Sequence, residues 1–328
     1  MATNRTWRQA ALENYKRRCV RVPAKDDALL DAVEAAGPGV TLNIDPGVHR
    51  LSREVAITVP IKLIGPKDGR EAAVLYGEHV VLRTRAEAWL EGLTFCRMGT
   101  SPGYPNAVVF AEAGRLKVEG CRITCGGAAS SIDDALRTFQ ALPSPGQPIV
   151  PEQSADQPAT NLADTLSANI SLQDDPTQDR PQSGLWIGAA SQVSLRSSII
   201  AGTMGPGVKV YRGELEAVSN TIAFSLRGAN VVANGGRMVL CDNRIQGATG
   251  DGISSWNNTH MTIEGNHICD NSGSGITINS TGGTVHISED NEFRDNGTAD
   301  IHRPSTPRPQ MAQLLRPRHQ PSQVGLSD

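Results

Sequence analysis

Asp251 and Gly252 lie in the stretch "TGDGISSWNN", Thr249 to Asn258, the place in this sequence where residue type and spacing first suggest chemistry. Hydrolysis of a glycosidic bond needs two carboxylates flanking it. Elimination needs a base, such as Arg or Lys, beside acidic calcium ligands. Asp251 has no acidic partner: Ser183, Pro206, Arg227 and Ser274 hold its position in the neighbouring repeats. Asp270 and Asp295 fall at a different turn, where capping or solvation accounts for them. No catalytic residue is assigned, with Lys209 or Arg212 as the base of a lyase kept as the alternative. His260, His267, His286 and His302 stand at dissimilar repeat positions. Cys96, Cys121 and Cys125 read as wall thiols, because no CxxC occurs and the spacing of the six cysteines fits neither a zinc knuckle nor a disulfide framework. No metal site and no cofactor are expected.

Recognition is the other chemistry on offer. Stacking the repeats gives outward columns Trp186, Lys209, Asn230, Ser254, Thr277 and Gly188, Tyr211, Val232, Trp256, Asn279. Neither holds a carboxylate. Together with Arg212 and Asn257, the residues Trp186, Lys209, Tyr211, Asn230, Trp256 and Asn279 form a candidate binding face of aromatics, cations and amides. Outward Trp and Tyr on a strand face are costly to leave wet and suit recognition.

These side chains are positioned by a repeat. From Ser183 the chain divides into lines of 22 to 24 residues opening near Gly184, Gly207, Gly228, Gly252 and Gly275. Each alternates apolar and polar residues, shows a second apolar pair, and closes on Ile200, Ile222, Ile245, Ile268 or Phe293. Two residues before that site runs a column of Ser198, Asn220, Asn243, Asn266 and Asn291. Asn tolerates the left-handed backbone of a sharp bend, and its stacked amides can donate to one neighbour and accept from the other. Three short strands per turn, period-2 alternation and a repeat near 23 predict an all-β chain, a single-stranded parallel β-helix. Leucine-rich repeats share the period but require a Leu grid that is absent here.

The pattern continues upstream in 106–127, with Cys121 at the Asn position, and in 81–99. Five regions follow: an N-terminal segment and capping helix (1–36, the helix near 26–36), first coils (37–127), a Pro/Gln/Ser-rich insertion (128–182), regular coils (183–303) and a basic Pro-rich tail (304–328). The helix would cover the open first coil. A short helix from Ser131 to Leu142 is expected within the insertion. The tail, through Met311, Leu314 and Leu315, would cover the last coil.

The run "DALLDAVEAA…VTLNIDPGVHRL…VAITVPIKLIGP", followed by G-x-x-N-x-I coils, resembles the right-handed parallel β-helix proteins of the pectate-lyase-like superfamily. It is most similar to the carbohydrate-binding and sugar-hydrolase-like (CASH) repeat group, over about residues 20–303 outside the insertion. The resemblance implies the right-handed fold, but its members include both sugar enzymes and adaptor proteins. Family hydrolases carry an acidic pair at the strand end, where this chain has Asp251 and Gly252. They also carry His-Gly and Arg-x-Lys elements that are missing after residue 251.

Composition narrows the partners. Among 328 residues, 31 Lys and Arg oppose 34 Asp and Glu, giving −3 and no footprint for nucleic acid or anionic membrane. No segment is long and apolar enough to span a bilayer. The first 24 residues lack the apolar core of a secretory signal and read as an amphipathic helix, so an intracellular, cytoplasmic location is expected, with organellar import as the alternative. The N-x-S/T sequons at Asn4, Asn169, Asn257, Asn279 and Asn296 carry no weight without secretion. The expected function is a non-catalytic scaffold or binding module in a larger assembly, meeting protein partners through the strand face, the insertion or the tail. A carbohydrate-binding module, or a polysaccharide lyase or epimerase, is the alternative.

Overall fold

The structure, a computed structural model, describes residues 18–67, 72–98, 106–125 and 182–303. The expected insertion, its helix at Ser131–Leu142 and the tail lie outside those residues, apart from Gln182. Every strand pair is parallel, and the described strands form one sheet of fifteen and one of nine. Each coil places two strands in the larger sheet and a third in the smaller. In the most regular coils the first two strands run together through a bulge, as in Ser183–Arg196, Val231–Cys241 and Ile253–Glu264. The chain is a parallel β-helix.

Period-2 alternation makes the wall, since successive side chains point to opposite faces. Inward residues stack coil upon coil. In the third strand Leu75, Phe95, Ile123, Ile200, Ile222, Ile245, Ile268 and Phe293 form one continuous column. In the second strand Leu63, Leu90, Val118, Leu195, Ala217, Leu240 and Ile263 form another. All but the half-buried Phe293 are closed to solvent. Burying each such side chain contributes about 1.5–3 kcal/mol, so small aliphatics suffice where aromatics are scarce.

The first bend holds the Asn column as a hydrogen-bonded ladder. Oδ1 of Asn243 accepts from the backbone N–H and the side-chain amide of Asn220, at 3.0 and 2.9 Å. Asn243 Nδ2 donates to Ala217 O (2.9 Å) and to Asn266 Oδ1 (3.0 Å). Ser198 and Cys121 extend the ladder downward, Ser198 Oγ accepting from the Cys121 backbone N–H at 3.1 Å. The left-handed residue of this bend is not the ladder member itself. It is the residue before it: Ser197, Ser219, Asp242 or Gly265, with φ between 46° and 62°. The Asn side chain is selected for its amide, while its predecessor carries the backbone turn.

A second bend, after the third strand, repeats the device with Thr203, Ser225, Asn271 and Asn296. Asn271 Nδ2 donates to Asn296 Oδ1 at 3.0 Å. One coil has Ala248 in that position, and there Asn230 replaces the missing amide. Asn230 Oδ1 accepts from Ser225 N (3.1 Å), and its Nδ2 donates to Gln246 O (2.8 Å) and Asn271 Oδ1 (3.2 Å). Asn230, not Gly228, aligns with the strand-opening glycines, because Val208, Val231 and Ile253 are in register. A Cβ at Gly252 would meet Asn271 Nδ2 at 2.9 Å. A side chain at the strand start competes with the bend amide for space, and in the coil with Asn230 and Ala248 the amide comes from the strand start instead.

The helix α1, Ala28–Ala35, covers the first coil with Leu29, Leu30 and Val33 buried. It is shorter than the expected 26–36, and Asp27, in left-handed conformation (φ 58°), gives no side-chain cap. Asp27 Oδ1 instead accepts from Ser52 N at 2.8 Å, tying the helix to the coil beneath. Ahead of it Cys19–Val22 is a strand paired with Val40–Ile44. Four residues of the segment expected to be helical thus belong to the wall: a strand paired along one edge leaves too short a signature to separate from its surroundings.

Candidate binding face

The first strands of successive coils put their outward residues in register on one long face. The pairing gives Arg83, Phe110, Trp186, Lys209, Val232, Ser254 and Thr277 as one column. The parallel column is Tyr211, Asn234, Trp256 and Asn279. Val232 therefore stands where the sequence stacking put Asn230, and Asn234 where it put Val232. The two-residue difference arises because Asn230, not Gly228, opens this strand.

This register moves one of the eight nominated residues, Asn230, off the face, and two more, Trp186 and Asn279, keep their columns but are buried there. Asn230 is 0% exposed and belongs to the second bend's hydrogen bonds. Trp186, at 6% exposure, packs edge-on to Phe110 with ring centroids 6.0 Å apart. Lys209 Nζ lies 4.0 Å over the other side of the indole, and Arg83 lies 5.5 Å over Phe110. Cation, aromatic, aromatic and cation thus close upon each other, leaving no ring face for a ligand. Asn279 is also buried, at 6%, and its amide has no hydrogen-bond partner among the described residues. Tyr211 and Trp256 are half-buried, Arg212 is exposed, and Asn257 is half-buried at a left-handed corner (φ 57°). Asn257 Nδ2 donates to Asn234 Oδ1, and the Arg212 guanidinium lies 5.5 Å over the Tyr211 ring.

The carboxylates absent from the later coils occur in the earlier ones. Arg83 pairs with Glu54 (3.0 Å) and Glu112 (3.3 Å), and Arg85 reaches Glu112 at 2.9 Å. The two guanidinium groups pull the Glu112 carboxyl below its ordinary range against the opposing effect of burial. The signal was an R-x-R and an A-E one coil apart, obscured because the early coils are irregular in length.

A second surface escaped the sequence reading. On the second-strand face a groove of about 830 Å³ is lined by Lys62, Trp89, Lys117, Glu216 and Arg237 among others. Lys62 and Lys117 each sit 4.0 Å from the Trp89 ring centroid, so both faces of that indole are occupied.

Asp251, the residue that first suggested chemistry, accepts a backbone bond from Ser274 N at 2.9 Å; it shapes a bend. The histidines are dispersed, His267 toward Glu292 (3.0 Å) and His260 toward Thr284 (2.7 Å). Among the described residues no three His, Cys, Asp or Glu side chains converge as metal ligands, and no helix is long and apolar enough to cross a membrane.

Stacked parallel coils, two bend ladders and a helix over the first coil define the class, and residues 165–304 match the family model of the right handed beta helix region. The fold is that of a right-handed parallel β-helix. Among solved structures it is similar to the PL6 family alginate lyase AlyGC, at 12% identity and TM-score 0.49, over 84% of this chain and 39% of that one. It is also similar to the N-terminal fragment of bacteriophage Phi29 gene product 12, at 14% identity and TM-score 0.42, over 77% and 44%. The mannuronan C-5 epimerase AlgE4 A-module of Azotobacter vinelandii shares 12% identity at TM-score 0.37, over 85% and 91%. The chain thus spans less than half the length of the first two. No curated protein sequence matches it.

Proposed function

We propose that this chain is a non-catalytic binding module that docks a protein segment along its first-strand face. The observation carrying this reading is the column of Tyr211, Asn234, Trp256 and Asn279, in register on four adjacent coils. Aromatic rings that are not packed into a core, interleaved with amides, suit recognition anchors. A stacked wall holds them at fixed spacing with little ordering cost on binding.

The group of Arg83, Arg85, Glu54 and Glu112 favours a second reading, a polyuronate lyase or epimerase, since it sets cations and carboxylates within 3.3 Å on the same face. Incubation with a panel of polyuronates and calcium, followed by absorbance of unsaturated product, separates the two. The binding reading expects no product, and a protein partner retained by the immobilised chain but released by Trp256→Ala. Product formation abolished by Arg83→Ala would overturn it.

A further inference from the structure

The column of half-buried Tyr211, Asn234 and Trp256 and buried Asn279 alternates aromatic, amide, aromatic, amide at successive coils. Strands in a sheet are spaced by about 4.8 Å, which sets Tyr211 and Trp256, two coils apart, at about 9.6 Å along the solenoid axis. A polyproline II segment rises about 3.1 Å per residue with three residues per turn, so it repeats every ~9.3 Å. One turn of such a segment therefore matches one aromatic-to-aromatic step. The shorter Asn234 stands between Tyr211 and Trp256 in that column, and Asn279 follows Trp256.

Donor chemistry points the same way. Asn234 Oδ1 accepts from Asn257 Nδ2, and the Asn234 amide also carries N–H donors. Among the described residues, the indole N–H of Trp256 and the amide of Asn279 make no side-chain hydrogen bond. Indole nitrogen is a donor only. A polyproline II chain forms no internal hydrogen bonds and presents its carbonyls as acceptors. Addition of a peptide as an extra strand is ruled out at this place. The strands carrying Asn234 and Trp256 are already paired on both sides. Arg212, exposed beside Tyr211, supplies a positive flank.

We infer that this column binds a proline-rich segment of a partner protein in polyproline II conformation. Its Pro-x-x-Pro residues occupy the positions over Asn234 and Asn279, and an acidic residue lies near Arg212. The inference rests on the docking function proposed above. It names the partner's local chemistry.

The test is fluorescence anisotropy of a labelled oligoproline ending in Glu, titrated with the full chain. A Gly/Ser peptide of equal length and charge is the control, and a polyuronate oligosaccharide the competitor. The expected result is saturable binding of the oligoproline alone. It should weaken about tenfold in Trp256→Ala and in Tyr211→Ala, with the melting temperature unchanged and partial recovery in Trp256→Phe. Equal binding of the Gly/Ser peptide, insensitivity to Trp256→Ala, or displacement by the oligosaccharide overturns the inference. The chain's own run from Pro145 through Pro148 to Pro151 has the same spacing. Oligoproline binding seen only after all three are replaced by Ala would assign the column to that run instead of a partner. If the oligoproline fails while Trp256→Ala still releases a captured partner, the segment chemistry is wrong and the docking function stands.

Discussion

Asn243 shows how much one buried side chain does here. Its amide serves Asn220, Ala217 and Asn266 at once, at 1% exposure. Replacing it with Ala strands the Asn220 N–H and the Ala217 carbonyl away from water, while Asn266 Oδ1 keeps the backbone N–H of residue 243, and each stranded group costs about 1–3 kcal/mol. Asn243→Ala should lose about 3 kcal/mol, read as a lower urea midpoint at unchanged slope. The exposed Asn258 offers the contrast: Asn258→Ala should fall within about 0.5 kcal/mol.

At the scale of the coil, the pair Asn230 and Ala248 makes a sharper claim. Asn230→Gly removes the acceptor for Ser225 N and the donor to Gln246 O. Ala248→Asn alone forces a second amide into space Asn230 fills. The double variant recreates the arrangement of Gly252 with Asn271, so it should be more stable than either single change. Equilibrium unfolding should give a coupling of about 1–3 kcal/mol; simple additivity would refute the compensation.

The same coil marks where the sequence was legible and where it was not. The third-strand apolar column and the Asn column could be read directly, because a period near 23 repeats the same residue types over five coils. The first strand was misread by two residues at one level. Gly228 and Asn230 compete there for the same position, and only Ala248, well downstream at the second bend, says which belongs. Trp186 was legible as aromatic and outward-pointing on its strand. Its closure by Phe110, Arg83 and Lys209 depends on register across the insertion, which no local pattern encodes. The Glu112 group, which lies wholly before the insertion, was hidden instead by the irregular length of the early coils.

For the molecule as a whole, burial of its thiols links stability to pH. Burial raises Cys121, Cys125 and Cys269 from the ordinary 9.0 to about 12. In the unfolded chain they ionise near the ordinary value. The native state therefore holds more protons than the unfolded state between those limits, so stability falls as pH rises. This contribution is fully present below pH 9 and is lost from there through about 12. Denaturant midpoints measured at pH 7, 9 and 10 should decline across the last interval. Replacing the three thiols by Ala should flatten that decline, relative to each protein's own midpoint at pH 7.

The exchange of Asn230 for a bend amide has a further meaning when the rod is followed from end to end. Below it the second bend is built from hydroxyls, Thr203 and Ser225; above it from amides, Asn271 and Asn296. One asparagine reaching from the strand start bonds to both sets, accepting from the Ser225 backbone and donating to Asn271. It works as a splice between two grades of masonry. Repeats of either kind can be added or lost on their own side, provided the course that carries the splice is kept.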